Sequence, residues 1–563
     1  MEKQLIECVP NISEGRDTAK IKTITDVVGT VEGAMLLDVD PGKATNRTVI
    51  TIVGEPEPVL EAAFRLIAKA QELIDMSKHS GEHPRFGATD VCPLVPIANI
   101  SMEECAEHAR KLAERLGNDL GIPIYCYENA AFEEKRKNLA NNRSGEYEGL
   151  GARLSDPEWK PDFGPSEFND NVKKSGATAV GARDFLVAYN VNLNTTSTRR
   201  ANAIAFDIRE AGRIKKADGL SGKNLLDENG EPVRIPGKLK AVKGIGWYIE
   251  EYGIAQLSLN LTNISITSVH VAFEAACDAA QSRGIRVTGS ELVGLIPKQA
   301  MLDAADHFLK KQQRSLGIDE KEKIKIAVKS LGLDDLAPFN PEEKIIEYLL
   351  DGTEKNRLVD MDLVAFANET ASESPAPGGG SIAAYCGALG ASLGTMAANL
   401  SAHKRGWDDR WEEYSQWAEK GQAYKERLLQ LVDEDTSSFE KVMDAYRMPK
   451  GTDAEKAERA DAIRETTKGA IMAPFSVMEN CLASMEVMKA MAASGLKASI
   501  SDAGVGALCA RTGVMGAYMN VKINTADLDD KAFVDDVLTK GAEIQEKALA
   551  LEKEIIDLVE KSI

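Results

Sequence analysis

The segment HSGEHPRFGATDVCPLVPI at residues 79–97 sets His83 in a turn bordered by glycine and proline, with Arg85 two positions on and a strand-forming run behind it. A loop histidine can present its ring to a cleft, and imidazole can take and return a proton near neutral pH. A histidine capping a backbone carbonyl is the plainer alternative. His79 stands four residues earlier, and that spacing alone does not make a metal site. A second carrier of chemistry is LVDEDTSSF at 431–439, inside a helical pattern, with Asp433 four residues before Ser437 and Asp435 four before Phe439. A carboxyl flanked by apolar helix positions can face a cleft as a general acid or base; a solvated helix face is the alternative.

Two further stretches have the make-up of binding segments. GPSEF (164–168) and GKLKAVKGIGWYI (237–249) combine glycines that let a ligand approach the backbone with Lys238, Lys240 and Lys243 near one strand. That composition suits a flat heteroaromatic ring with an anionic tail, or else an edge strand blunted by lysines. The GIG of Gly244 and Gly246 is no dinucleotide fingerprint, because no GxGxxG opens a helix there. PAPGGGS (375–381) places Gly378, Gly379, Gly380 and Ser381 at the start of a small-residue helix, where free N–H groups and the positive dipole end favour an anion. Plain helix entry is the alternative. Further along, Gly387, Ala391 and Gly394 share one face and allow close backbone packing, with 501–524 the expected partner.

These residues need elements to hold them. Up to about residue 325 strand-like and helix-like runs alternate: strands at 4–9, 34–40, 47–54, 91–97 and 122–128, and again at 184–193, 240–249, 254–261 and within 285–297, with helical patterns between them. Ser101 and Glu104 form a capping box before 101–117. Both series contain the order β-α-β-β-α-β, which predicts two split-βαβ, ferredoxin-like α/β subdomains, 1–180 and 181–325, meeting near 175–182. Residues 214–237 read as an inserted loop and 326–356 as a short structured connector. From 357 to 563 the patterns are helical (381–402, 408–446, 454–494, 503–524 and 529–562), which predicts an all-α bundle.

Composition excludes several classes. The chain has 563 residues and a net charge of −20, from 88 acidic and 68 basic side chains. Nucleic acid and anionic lipid are therefore poor partners, although a local Arg or Lys cluster can still hold a carboxylate. The eight cysteines form no CxxC pair, which argues against zinc and disulfide frameworks and for a reducing compartment. The N-terminus has no signal-peptide run, so a cytoplasmic protein is expected. Residues 381–400 are uncharged and long enough to span a bilayer, but their Ala, Gly and Ser content predicts a buried helix and no membrane.

One set of motifs runs in order along nearly the whole chain: ECVPNISEG (7–15), LLDVDPGKATNRTV (36–49), DMSKHSGEHPRFGATDVCP (75–93), DFGPSEF (162–168), GIGWYI (244–249), LVGLIP (292–297), IIEYL (345–349), PAPGGGS (375–381) and GAYMNVKIN (516–524). In these the sequence closely resembles the bifunctional glutamate formimidoyltransferase–formimidoyltetrahydrofolate cyclodeaminases of histidine breakdown. The resemblance implies a first unit that moves a formimidoyl group between glutamate and nitrogen 5 of tetrahydrofolate. It implies a second that cyclises 5-formimidoyl-tetrahydrofolate to 5,10-methenyl-tetrahydrofolate with release of ammonia. By the same resemblance the catalytic histidine falls on His83 and the catalytic aspartate on Asp435. Folate contacts fall near Gly164, Pro165, Ser166, Phe168 and Gly176, and from Gly237 through Lys238, Lys240, Lys243 and Gly244 to Gly246. Tetrahydrofolate is then substrate, with no metal and no nicotinamide, and the cyclodeaminase units pair through their helices in a homo-oligomer. The alternatives are a formyl transferase with methenyl-tetrahydrofolate cyclohydrolase activity, and a non-catalytic folate-binding or scaffold protein.

Overall fold

The computed structural model describes residues 4–43, 46–80, 85–219, 222–228, 230–351, 357–526 and 528–563; His83 lies outside them. The chain forms two compact units: 1–301 with 331–351, and 302–330 with 352–563.

The first unit holds two sheets. In the first sheet β1 (Leu5–Cys8) and β2 (Asn11–Ile12) share one lane between β4 (Arg47–Gly54) and β5 (Thr89–Ala98), and β3 (Ala34–Gly42) lies outside β4. All these pairings are antiparallel. β6 (Ile124–Glu128) and β7 (Thr178–Ala182) extend the sheet beyond β5 in parallel, with β7 in the middle. β7 falls where the sequence pattern marks only a boundary. Its five small residues, TAVGA, are all buried, so it has none of the alternation that betrays a half-buried strand.

Alternation does govern β1. Ile6 and Cys8 are fully buried against helices, while Glu7 between them points to the opposite face. The Pro56–Leu73 helix buries Val59, Ala63, Leu66, Ile67 and Ala70 along one stripe of that core. The Met102–Leu120 helix begins at the expected Ser101–Glu104 capping box.

The second sheet is antiparallel throughout, in the order β11 (Val242–Ile249), β12 (Ile254–Leu261), β8 (Val187–Leu193), β13 (Val287–Val293). The Thr198–Ile208 and Val269–Gln281 helices complete a β-α-β-β-α-β path. Strand for strand this is the order of β3, β4, the shared β1/β2 lane and β5. The 214–237 insertion is pinned at its base by a small hairpin of β9 (Arg213–Ile214) and β10 (Arg234–Ile235).

The stretch expected as a connector does not stay separate. Residues 331–351 close onto β13 and its neighbours. Ser290 N–H donates to the Gly332 carbonyl (2.8 Å), and Thr288 and Asn192 both donate to Asp335 (3.0 and 3.1 Å). Ile346 is fully buried beside Val53 and Leu295. Residues 302–330, by contrast, pack with the helices. Leu316 N–H donates to Ser415 (2.9 Å), and Asn399 donates to the Gly317 carbonyl (2.8 Å).

The second unit is built on five long helices, Gly379–Ala402, Trp411–Arg447, Asp453–Ser494, Ile500–Thr525 and Lys531–Glu560, close to the expected spans. The first is long and apolar enough to cross a membrane by length and composition, and 61% of its apolar window is buried inside the fold. Its small residues set that packing. A Cβ on Gly390 would press on the Gly506 carbonyl, and one on Gly394 on Met488.

Candidate functional sites

In the first unit a cavity of about 680 Å³ opens between the two sheets. One wall is the face of the first sheet opposite the Pro56–Leu73 and Met102–Leu120 helices, at alternating positions: Glu7, Val9 and Asn11; Asp38 and Asp40; Arg47, Val49 and Thr51; Val91 and Pro93. The other wall includes one transverse row of the second sheet, Lys243, Asn260, Ala188 and Val293, which are cross-strand neighbours. The lining carries an unusual density of charge. Burial raises the Glu7 carboxyl to about 7 against the opposing pull of Arg183. Burial also raises Asp38 and Glu128. At the far end Asp90, from β5, accepts from both Arg47 and Arg143.

The sequence candidates distribute unevenly around this cavity. Lys243 lines it. Lys238 and Lys240 precede β11 and pair instead with Asp278 (3.0 Å) and Glu210 (3.6 Å). Gly244 and Gly246 face away from Lys243. A Cβ on Gly246 would overlap Ala201 and the backbone N of Asn202 in the Thr198–Ile208 helix, so this glycine serves helix–sheet packing. Gly237 backs onto the Arg209 carbonyl in the same way.

A second group gathers beside residues 85–88. Arg85 binds Glu148, its carbonyl accepts from Tyr147 N–H (2.9 Å), and the Tyr147 ring lies 6.3 Å from Phe168. Gly176, at φ +66°, bridges to Gly87. Gly164, at φ +83°, tucks under the Ile122 carbonyl, with Pro165 half-buried and Ser166 exposed. None of these lines the cavity; Arg85 and Gly87 follow closely in the chain on the segment that holds His83, and Tyr147 and Gly176 reach it only by packing against residues 85–88. On the other flank of that segment, His79 Nε2 contacts the Asn46 carbonyl at 3.0 Å and Asn46 donates to the Ser80 carbonyl at 2.9 Å. His79 thus caps a backbone carbonyl, and its burial lowers its pKa.

In the second unit three separate sequence features converge on a cavity of about 460 Å³. Gly378, Gly379 and Gly380 form one rim, Asp435 and Thr436 another, and Asn520 and Asn524 a third. The anion that the glycine-rich helix start suits is the protein's own Asp435. Ser381 Oγ donates to Asp435 Oδ2 (3.2 Å) and to the Val432 carbonyl (3.0 Å), and the Ser381 N–H also bonds the carboxylate. A Cβ on Gly380 would overlap this carboxyl. Burial nevertheless outweighs these bonds, and the Asp435 pKa lies above the usual carboxylate value. Asp433 has a different task. Its Oδ1 accepts from Leu358 N–H (2.6 Å), fastening the chain that leads into the unit.

Pro474 shapes the remaining rim. It lies inside the Asp453–Ser494 helix and has no N–H for the Ala470 carbonyl four residues back. Asn524 donates to that carbonyl from the neighbouring helix, at 2.8 Å. The amide orientation follows, because the open carbonyl needs a donor. Ala470 and Asn524 both line the cavity. The one proline in a long helical pattern was the available signal for this feature. For Glu7, Asp90 and Arg143 no comparable local signal exists. Among the described residues no group of three or more His, Cys, Asp or Glu side chains is arranged to hold a metal ion.

Each of the two folded units thus holds its own cavity with titratable side chains, an arrangement that suits two separate sites. Three family models cover most of the chain: "Formiminotransferase domain, N-terminal subdomain" over 5–183, "Formiminotransferase domain" over 188–351 and "Formiminotransferase-cyclodeaminase" over 362–543. A formimidoyltransferase-cyclodeaminase of Gallus gallus is 43% identical over 559 residues, 99% of each chain. A glutamate formimidoyltransferase of Streptococcus pyogenes is 40% identical over 306 residues, covering 54% of this chain and 93% of its own. A methenyltetrahydrofolate cyclohydrolase of Methylorubrum extorquens is 35% identical over 198 residues, covering 35% of this chain and 95% of its own. The chain belongs to the formimidoyltransferase-cyclodeaminase family.

Proposed function

We propose that the first unit transfers a formimidoyl group between glutamate and nitrogen 5 of tetrahydrofolate. The second unit then cyclises 5-formimidoyl-tetrahydrofolate to 5,10-methenyl-tetrahydrofolate and releases ammonia. The observation that carries this is the near-full-length match to a formimidoyltransferase-cyclodeaminase, joined to two separate cavities in the two units. The match to a cyclohydrolase is confined to about a third of the chain and is weaker, so ammonia release is favoured over hydrolysis.

In transfer, the accepting amine must lose a proton and the departing nitrogen gain one, and His83 does both in turn. In cyclisation, nitrogen 10 attacks the formimidoyl carbon and gives up its proton, the carbon–nitrogen bond to the formimidoyl nitrogen breaks, and Asp435 gives that nitrogen the proton with which it leaves as ammonia. The reaction is intramolecular, so holding the reactant supplies much of the rate. A carboxyl with a raised pKa keeps its proton closer to neutral pH, which suits a donor.

Reading both α/β layers as split βαβ, ferredoxin-like subdomains is supported by the shared strand order. Assembly of copies through the helical unit is supported by apolar side chains left exposed away from the cavity, Met519 and Val505 among them. A cytoplasmic setting belongs to the same reading.

The experiment is a pair of assays on the full-length chain. His83→Ala should abolish transfer from formimidoylglutamate and spare cyclisation of supplied 5-formimidoyl-tetrahydrofolate; Asp435→Ala should do the reverse. If neither substitution touches its own reaction, the assignment of these residues fails.

A further inference from the structure

The charged end of the first cavity contains a group that proton transfer does not use. Asp90 is almost wholly buried, and its Oδ2 is shared by two guanidiniums, Arg47 and Arg143. The Arg143 side chain makes one hydrogen bond, Nη1 to Asp90 at 2.6 Å, and its Nε is buried with no hydrogen-bond partner. A guanidinium that shares half a carboxylate in a poorly hydrated wall is under-compensated, and a second carboxylate would complete it with two parallel N–H···O bonds.

Position narrows what that carboxylate is. Along β4 the register runs from Arg47 at one end, past Asp40 opposite Val49 and Asp38 opposite Thr51, to Glu7 opposite Val53. The acidic stretch disfavours an anion along that edge, and the other lining cations, Lys243 and Arg183, act on Glu128 and, for Arg183, on Glu7, which leaves the Arg143 end for it. That end lies near His79 and Ser80, because Asn46, which bonds both, immediately precedes Arg47. The protein as a whole carries −20, so it has no general field that would gather an anionic substrate.

We propose that Arg143, oriented by Asp90 and flanked by Arg47, binds a carboxylate of the amino-acid substrate of the transferase. This rests on the transferase reading of the first unit and places the amino acid at the end of the cavity near His79 and Ser80.

The test uses the full-length chain with Arg143→Gln and Arg143→Lys. In steady-state transfer, Arg143→Gln should raise the KM for formimidoylglutamate on the order of 100-fold, with the KM for tetrahydrofolate unchanged. Arg143→Lys, which keeps the charge and loses the fork, should fall between. The wild type should discriminate against a donor lacking one carboxylate (formimidoylglutamine, or formimidoyl-4-aminobutyrate), and in Arg143→Gln that discrimination should collapse for one of the two. Cyclisation of supplied 5-formimidoyl-tetrahydrofolate should be unaffected, which reports an intact chain, and circular dichroism of both variants reports the fold of the first unit.

If the KM instead rises for tetrahydropteroylglutamate and not for tetrahydropteroate, the carboxylate belongs to the folate tail and the proposal is overturned. Unchanged discrimination in Arg143→Gln overturns it too. Calorimetric titration of L-glutamate separates this claim from the activity itself. Glutamate that binds the wild type and not Arg143→Gln supports the clamp even where no transfer is measurable, a result that would defeat only the transferase reading. Equal binding to both overturns the clamp.

Discussion

Asp435 is pulled two ways. The N–H and hydroxyl of Ser381, at the start of a helix, favour its charged form, while the apolar wall around it favours the neutral one and prevails. Removing the hydroxyl bond with Ser381→Ala therefore raises the pKa further. If Asp435 acts as the proton donor, the falling limb of the cyclisation pH profile moves to higher pH in this variant. A limb that stays in place or moves down would count against the donor role. Glu7 makes a separate prediction about stability. Its folded pKa of about 7 lies above the ordinary 4.5, so the folded state holds this proton more tightly than the unfolded chain does. The stabilisation is complete below about pH 4.5 and is lost as the pH rises through about 7, a change of about 3 kcal/mol at most. Glu7→Gln should therefore flatten the stability of the first unit between pH 5 and pH 8 and be the more stable form at pH 8, as followed by urea unfolding at both pH values.

The types of His83 and Asp435 were legible in their motifs, but spacing alone favoured a structural explanation for each, and only the family resemblance singled them out. Glu7, Asp90 and Arg143 were illegible for a physical reason. Their common cavity is made by a sheet face that brings together strands more than eighty residues apart, and nothing in the neighbouring sequence of any one records it.

Elements were easier to read where one face alone is buried. The long helices of the second unit follow from their apolar periodicity to within a few residues, and the Ser101 capping box was visible outright. β7 was missed because it is buried on both faces, and the role of Gly246 stayed open because a glycine made small for a helix and one made small for a ligand look alike in sequence. Two substitutions separate these cases. Gly246→Ala drives a methyl into the backbone of the Thr198–Ile208 helix and should cost about 1–3 kcal/mol or more, whereas Gly244→Ala meets only the tip of the Leu259 side chain and should cost less. Thermal unfolding of the two variants decides it; equal losses would refute the packing explanation. The Pro474 gap gives a paired test. Asn524→Ala leaves the Ala470 carbonyl without its donor, a loss of about 1–3 kcal/mol, and the loss should shrink in the Pro474→Ala background, where the helix supplies its own N–H.

At the scale of the whole molecule, composition and pattern correctly separate an α/β part from a helical part. They do not reveal that the chain crosses over before it leaves the first: 302–330 packs with the second unit and 331–351 with the first. Contacts such as Leu316 with Ser415 or Ser290 with Gly332 join residues far apart in sequence, and periodicity is blind to them. A division at residue 325 should therefore injure both pieces, stripping 331–351 from β13 and 302–325 from the helices. A fragment ending at 351 should keep the transferase unit whole. Melting temperatures and soluble yield of 1–325 against 1–351 test this, and equal behaviour of the two fragments would contradict it.

That crossing also orders events during synthesis. The stretch that belongs to the second unit leaves the ribosome before the stretch that finishes the first. While β13 waits for residues 331–351, the emerged 302–330 has no helices yet to pack on and must stay uncommitted. A chaperone, or a pause in translation, would find its natural substrate in this interval.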